Sequence, residues 1–302
     1  LIRDPLARDP VMPLIDAHAH VWTDDTAHYP LGPGWQKSDM APARFTPEDL
    51  FKHTKAAGVE RVNLIQMSYY YPKDPASKAV NAFDNRYMLD MIALYPDVFV
   101  GTAVIDPHAT APDKLMTELA KKKVRAFRIH PRLSHQPPEK WLQPEGYAAM
   151  FAAGAKNNQA MSCLIDPDGL PELDRMCRKF RDTPVIIDHL CRIGAGGTIQ
   201  DNDVETLCKM AQHPRVLVKV GAFYALGKKT PPYTDLKPLI QKVVQAFGAR
   251  RCMWESDCPF QVVKDRYQDS LDLVRKHCDF LTADERDWLL GRTAESFFFA
   301  KA

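Results

Sequence analysis

The chain predicts a (β/α)8 TIM barrel with extra helices after the eighth strand, and three observations carry that expectation. Short apolar, β-branched runs alternate with longer segments of helical periodicity along all 302 residues. The runs number eight, as a closed parallel barrel requires. The polar residues that punctuate them gather at the carboxyl ends of the runs, where barrels place their chemistry. The competing architecture, an open doubly wound sheet, carries a glycine fingerprint after its first strand, and none follows here. GAGG at Gly194–Gly197 comes after the sixth run, has no phosphate-loop lysine nearby, and reads as a plain turn.

In order, the strand candidates are LIDAHAHVW (14–22), RVNLIQM (61–67), VFVGTAVI (98–105), VRAFRIH (124–130), AMSCLI (160–165), PVIIDHL (184–190), RVLVKV (215–220) and RCMWESD (251–257). Helices are expected over Pro47–Ala57, Asn81–Tyr95, Pro112–Lys121, Pro144–Asn157, Leu170–Phe180, Asp203–Gln212 and Tyr233–Phe247, with Asn, Asp or Pro at their starts and Gly58 and Gly248 as stops. LTADERDWLLGRTAESFFF (281–299) adds helical segments able to close the barrel bottom. Residues 1–12 read as an irregular arm and 1–302 as a single domain. The longest irregular stretch, 23–46, contains HYPLGPGW and is a candidate lid or rim loop.

Hydrophobic residues make up 45% of the chain and charged residues 26%, ordinary values for a globular enzyme. A formal net charge of +2 gives no global field that would draw nucleic acid or an anionic membrane. No apolar run approaches the ~20 residues that span a bilayer. Seven cysteines form no CxxC pair, and LIRDPLARDPV lacks the apolar core of a signal peptide. Both observations favour a reducing, cytoplasmic setting. The chain begins at Leu1, which leaves room for a removed leader.

Taken around the expected mouth, the strand ends give a polar ring. The first strand offers Asp16, His18 and His20 at alternate positions, which strand geometry turns to one side. The fourth offers Arg128, His130 and Arg132, the sixth Asp188, His189 and Arg192, the seventh Lys219, and the eighth Glu255 and Asp257. A strand-end histidine alone is more often structural than a ligand. Here His18, His20, His189 and Asp257 converge, and imidazole with carboxylate makes a natural shell for a divalent transition metal. Asp257 also suits a general base toward water. Glu255, one layer deeper on the same face, reads as a buried partner inside the barrel.

DAHAH on the first strand, DHL ending the sixth and ESDCP ending the eighth resemble the amidohydrolase superfamily. More narrowly, they are similar to its amidohydrolase-2 branch, which includes sugar lactonases and pyrone-dicarboxylate lactonases. The likeness runs nearly the whole chain, through LIQMSYYY…FDNRYMLD, VFVGTAVIDP, VRAFRIHPR, VKVGAFYAL and the closing GRTAESFF. The resemblance implies that His18 and His20 are the first-strand pair, His189 the sixth-strand histidine and Asp257 the eighth-strand aspartate that takes a proton from the attacking water. The fifth strand, AMSCLIDPDG, has no histidine, and the fourth has Arg128 where a bridging lysine would stand. One divalent ion, Zn²⁺ first, on His18, His20 and Asp257 is therefore expected rather than a binuclear centre. Some lactonases of the branch work without metal, and there the two histidines would bind the substrate carbonyl themselves.

The same missing histidine moves the expected reaction from decarboxylation of an aromatic or unsaturated acid toward hydrolysis of a lactone. A barrel that only binds a metal or a small acid is the third reading, and it has no use for a general base. Arg128, His130, Arg132, Lys219 and Arg192 are expected to hold an anionic or hydroxylated lactone, since guanidinium groups match carboxylates two-pronged. Tyr69 and Tyr224 are expected to wall a ring-shaped substrate, with Tyr70 and Tyr71 beside them. Cys191 and Cys258 lie next to site residues, but Asp257 facing inward turns Cys258 away.

Overall fold

The computed structural model describes residues 13–67 and 83–300. Parallel strands follow one another around an eight-stranded sheet in the order β1 to β8. They are β1 (Leu14–Ala19), β2 (Val59–Ile65), β3 (Phe99–Ala103), β4 (Val124–Ile129), β5 (Ala160–Cys163), β6 (Val185–Ile187), β7 (Val216–Gly221) and β8 (Cys252–Glu255). The ring closes where the Asp257 amide donates to the His18 carbonyl at 2.9 Å and the His20 amide to that of Cys258 at 2.7 Å. That closure excludes the open doubly wound sheet.

The connecting helices are α1 (Pro47–Ala57), α2 (Arg86–Leu94), α3 (Pro112–Ala120), a single turn α4 (Pro131–Ser134), α5 (Glu145–Asn157), α6 (Leu170–Lys179), α7 (Asp201–Lys209) and α8 (Lys237–Phe247). Each expected helix is present. Proline in the first turn opens α1, α3, α6 and α8, where its missing N–H costs no hydrogen bond. Gly58 ends α1 in the left-handed conformation at φ 78°. The last helix starts at Lys237, later than expected, after a separate tight turn over Thr234–Leu236. Asn85 fixes the start of α2 by bonding both the amide and the carbonyl of Val104 at 2.9 Å. After β8 come α9 (Phe260–Lys264), α10 (Tyr267–Asp272), α11 (Ala283–Asp287) and further helical turns to Phe299. Among the described residues no helix is long and apolar enough to cross a membrane.

The barrel interior is graded along its axis, and that gradient positions the site. At the amino-terminal end Ile15, Ala17, Val100, Ala126, Ala160, Ile186 and Met253 form an apolar cluster, plugged from below by Ala294 and Phe298 of the closing helices. Halfway up, Asn63 donates to Thr102 Oγ1 at 3.0 Å. Above these comes a layer of buried charge: Arg128, Asp188, Lys219 and Glu255. Outside the strands, a larger cluster including Leu14, Ala19, Phe127, Ile129 and Trp254 packs the sheet against the helices.

One expectation about β1 is corrected. Strict alternation would turn Asp16 and His18 to the same side, but Ile15 and Ala17 both occupy the barrel interior. The pairing register of β1 with β2 shifts between Asp16 and Ala19, and this bulge brings His18 inside while Asp16 stays out. Asp16 instead faces the helix layer, accepting from Ser256 Oγ at 2.5 Å, the Ser256 amide at 2.9 Å and the Tyr267 hydroxyl at 2.8 Å. It ties β1 to the segment after β8 from the outside. The segment 23–46 is pinned at its base by paired Trp22 and Phe45 backbones, and it contributes no residue to the cavity described next.

Candidate active site

A cavity of about 470 Å³ opens at the carboxyl ends of the strands, lined by His20, Met67, Arg128, Arg132, His189 and Asp257 among others. Its floor is a triangle of ligand-type atoms. His18 Nε2 and His20 Nε2 lie 3.2 Å apart, and Asp257 Oδ1 lies 3.2 Å from the second and 3.4 Å from the first. His20 Nδ1 stands 3.0 Å from the Ile65 carbonyl, which can only accept, so in the neutral ring Nε2 carries the bare lone pair. The Arg128 guanidinium, which can only donate, places Nη2 2.9 Å from His18 Nε2 and favours the same tautomer there. Burial pushes both imidazoles down, helped at His18 by the Lys219 and Arg128 charges and opposed at His20 by Asp257.

The triangle is thus three acceptors facing one another, an arrangement that calls for a cation or proton among them. Tetrahedral zinc with bonds of about 2.0–2.1 Å has ligand atoms roughly 3.3–3.4 Å apart, so the observed separations fit such a shell. Arg128 Nη2, 2.9 Å from His18 Nε2, is the cationic group that meets this lone pair, and an ion bound there would replace it. His189 lies close enough to extend the set, since His18, His189 and Asp257 bring ligand atoms within 4.8 Å of one another.

His189 reaches the mouth through an unusual backbone. His189, Leu190, Cys191 and Arg192 all have φ between 51° and 56°, a left-handed turn that L-residues rarely sustain. The turn buries Leu190 and Cys191 and leaves His189 on the cavity wall. His189 Nδ1 sits 2.6 Å from Glu255 Oε1, and the His189 amide donates to the same oxygen at 3.1 Å. Burial would lower this imidazole, but Glu255 and Asp257 outweigh it and raise its pKa. Gly221 makes the room, because a Cβ there would overlap the Glu255 side chain. Glu255 is a buried partner inside the barrel: Oε1 orients His189, and Oε2 lies 3.0 Å from His18 Nδ1.

Asp257, at φ 60°, is the counterpart carboxylate. Burial would raise its pKa, yet His189, His20 and Tyr224 hold it down to about 2. The Tyr224 hydroxyl donates to Asp257 Oδ2 at 2.7 Å, so the tyrosine expected to wall the substrate also holds the carboxylate. Cys258 faces away, its thiol pushed well up by burial.

The other expected residues separate by depth. Arg128 lines the cavity and also bonds Asp188 Oδ2 at 3.2 Å. Lys219 is fully buried beneath the cavity, 3.0 Å from Asp188 Oδ1 and 3.1 Å from His18 Nδ1, and is absent from the lining. Arg132 and Arg192 are exposed on the rim, Arg192 paired with Asp166 at 3.1 Å. His130 is buried at the start of α4, outside the lining, its pKa lowered to about 3 by burial with Arg132 and Arg128 nearby. Tyr69, with Tyr70 and Tyr71, lies outside the described residues.

A family model described as Amidohydrolase matches residues 15–300. The chain belongs to the amidohydrolase family. Among relatives of this amidohydrolase, an L-fucono-1,5-lactonase of Burkholderia ambifaria is 25% identical over 291 residues, covering 94% of each chain. A 4-sulfomuconolactone hydrolase of Hydrogenophaga intermedia is 22% identical over 273 residues, covering 90% of this chain and 83% of the relative. A solved structure of a probable 2-pyrone-4,6-dicarboxylic acid hydrolase from Acinetobacter baumannii shares the fold at a TM-score of 0.76 and 20% identity, over 96% of this chain and 100% of that one.

Several contributors to the amidohydrolase site escaped the sequence. Ser162 stands on β5, and its hydroxyl donates to both Asp188 oxygens at 2.9 Å. Phe260 packs edge-on against His20 with ring centroids 5.6 Å apart, and Lys229 and Lys264 join the rim. The Tyr224 contact carries its own test. Tyr224→Phe should lower kcat roughly tenfold, as loss of a hydrogen bond to a charged group does, with a smaller change in KM. Steady-state kinetics check it, and an unaltered kcat would reduce Tyr224 to a wall.

Proposed function

We propose that this amidohydrolase opens a lactone by attack of water at the ring carbonyl. The observation that carries the proposal is geometric: Asp257, 3.2 Å and 3.4 Å from the His20 and His18 Nε2 atoms and held by the Tyr224 hydroxyl, shares one cavity with His189, whose Nδ1 sits 2.6 Å from Glu255. The carboxylate takes a proton as the water oxygen bonds to the carbonyl carbon. His189, with Glu255 holding its Nδ1, stabilises the negative charge that develops on the carbonyl oxygen. The ring carbon–oxygen bond then breaks. Asp257 returns its proton to the ring oxygen, and a hydroxy acid leaves. Arg128, Arg132, Arg192 and Tyr224, which line the cavity, are proposed to orient the substrate, while His130 lies outside the lining. The names of the two relatives, both lactone hydrolases, support this choice of reaction.

A divalent ion, Zn²⁺ first, is proposed to sit on His18 Nε2, His20 Nε2 and Asp257 Oδ1, with His189 or water completing the shell. Held there, it supplies Lewis acidity toward the carbonyl oxygen or the water.

The test pairs turnover with metal content. Purified protein is assayed for acid release from L-fucono-1,5-lactone and 2-pyrone-4,6-dicarboxylate, and its metals are counted by elemental analysis before any chelator. Ring opening of either lactone is expected, with about one equivalent of zinc. Release of carbon dioxide from aromatic acids with no lactone turnover would overturn the lactonase proposal. Metal-free protein that stays fully active after incubation with Zn²⁺ would remove the ion and leave the two histidines on the carbonyl.

A further inference from the structure

The rim of the cavity holds a charge excess that the chemistry at its floor does not use. Among the described residues, five cations line the cavity, Arg128, Arg132, Arg192, Lys229 and Lys264, against a single carboxylate, Asp257. Arg128 is engaged by Asp188 and Arg192 by Asp166. Among the described residues, no carboxylate pairs with Arg132, Lys229 or Lys264. Like charges crowded on one edge repel, and a bound anion relieves that repulsion.

The loop carrying Lys229 is built rather than loose. The Gly227 amide donates to the Gly194 carbonyl at 2.9 Å, and the Lys228 amide to Asp235 Oδ2 at 2.8 Å. Lys229 itself has φ 57°, and its Nζ donates to the Ala195 carbonyl at 2.7 Å. A carbonyl orients the ammonium group without neutralising it. Lys264 ends α9, the helix whose first residue, Phe260, packs on His20. Both lysines therefore stand at the mouth on elements tied to the site, one after β7 and one after β8.

We infer that Lys229 and Lys264 form an acid-recognition rim, which selects lactones bearing a carboxylate or sulfonate away from the ring carbonyl. This rests on the lactonase reading and narrows it to anionic lactones. With the carbonyl against His20 and Asp257 at the floor, a substituent pointing out of the cavity faces the part of the lining that Lys229 and Lys264 supply. A neutral sugar lactone offers them only hydroxyls, which make weaker hydrogen bonds than charged oxygens do.

The test uses Lys229→Met, Lys264→Met and the double variant. Both side chains are exposed, so folding is not at stake. The probe for binding is tricarballylate, titrated calorimetrically. The double variant should bind it about tenfold more weakly than wild type, and added salt should narrow the gap. Equal affinities, or no binding to wild type, overturn the rim. Turnover separates this inference from the reaction beneath it. Wild type should prefer 2-pyrone-4,6-dicarboxylate to L-fucono-1,5-lactone in kcat/KM, and the double variant should lose about tenfold of that preference. A wild type that favours the neutral lactone keeps the lactonase and overturns the rim. A wild type that binds tricarballylate through the two lysines but opens neither ring keeps the acid site and removes the lactonase.

Discussion

Asp257→Asn is expected to lower kcat by between about 10² and 10⁴, the usual contribution of a positioned general base. Asparagine is the informative replacement because Asp257 sits at φ 60°, which asparagine tolerates and alanine does not. The amide can still accept from the Tyr224 hydroxyl, and the backbone bond from residue 257 to the His18 carbonyl is untouched. Barrel closure therefore survives, and thermal unfolding should match wild type closely enough to assign the loss to chemistry. What disappears is the charge that His189, His20 and Tyr224 hold in place down to about pH 2. Steady-state kinetics alongside an unfolding curve make the measurement. Unchanged turnover would take the proton from Asp257 and require another base. A loss of activity with equal loss of stability would show a structural carboxylate. The variant also tests the binding-only barrel, since a protein that merely holds a small acid should keep doing so without a base.

The sequence made the barrel legible because parallel strands buried on both faces leave unbroken apolar runs, and helices between them leave a different period. Side-chain direction was legible wherever a strand kept its alternation. On β4, Ala126 and Arg128 both face inward, and on β8 so do Met253 and Glu255. Alternation failed at β1, where the bulge after Asp16 changes the side on which residues fall and no local residue type announces it. Depth was the harder quantity. Period two says which way Lys219 points but not that it stops below the cavity, spent on Asp188 and His18. His189 lines the cavity at the carboxyl end of β6, yet the left-handed turn that delivers it has no signature in DHLCR. Lys229 and Lys264 lie in a loop and on a short helix, where no strand period points to the cavity. Loop residues enter a site through tertiary anchors such as Lys229 to Ala195, and a single sequence does not display those.

Lys219→Met turns the question of depth into an experiment. The methionine stem replaces the lysine stem at similar volume, so packing is largely kept while the buried cation goes. Asp188 then loses the ammonium 3.0 Å from Oδ1 and keeps Arg128 on Oδ2 and the Ser162 hydroxyl. Burial pushes the Asp188 carboxyl up, and Lys219 and Arg128 together hold it below the ordinary range. With one of its two cations removed, Asp188 is only partly compensated in the barrel interior, at a cost of up to about 3 kcal/mol, the lower end for breaking a buried pair. Urea denaturation measures that cost. The double variant Lys219→Met with Asp188→Asn should recover part of it, because the stranded charge is gone, and the recovered part is the coupling between the two residues. If Lys219 instead served the substrate, Lys219→Met would leave unfolding unmoved and raise KM alone. The two outcomes are exclusive, since an ammonium group with no exposed surface cannot contact substrate while it bridges Asp188 and His18. A large loss of stability would make the layer of Arg128, Asp188, Lys219 and Glu255 the electrostatic foundation on which His18 and His189 stand.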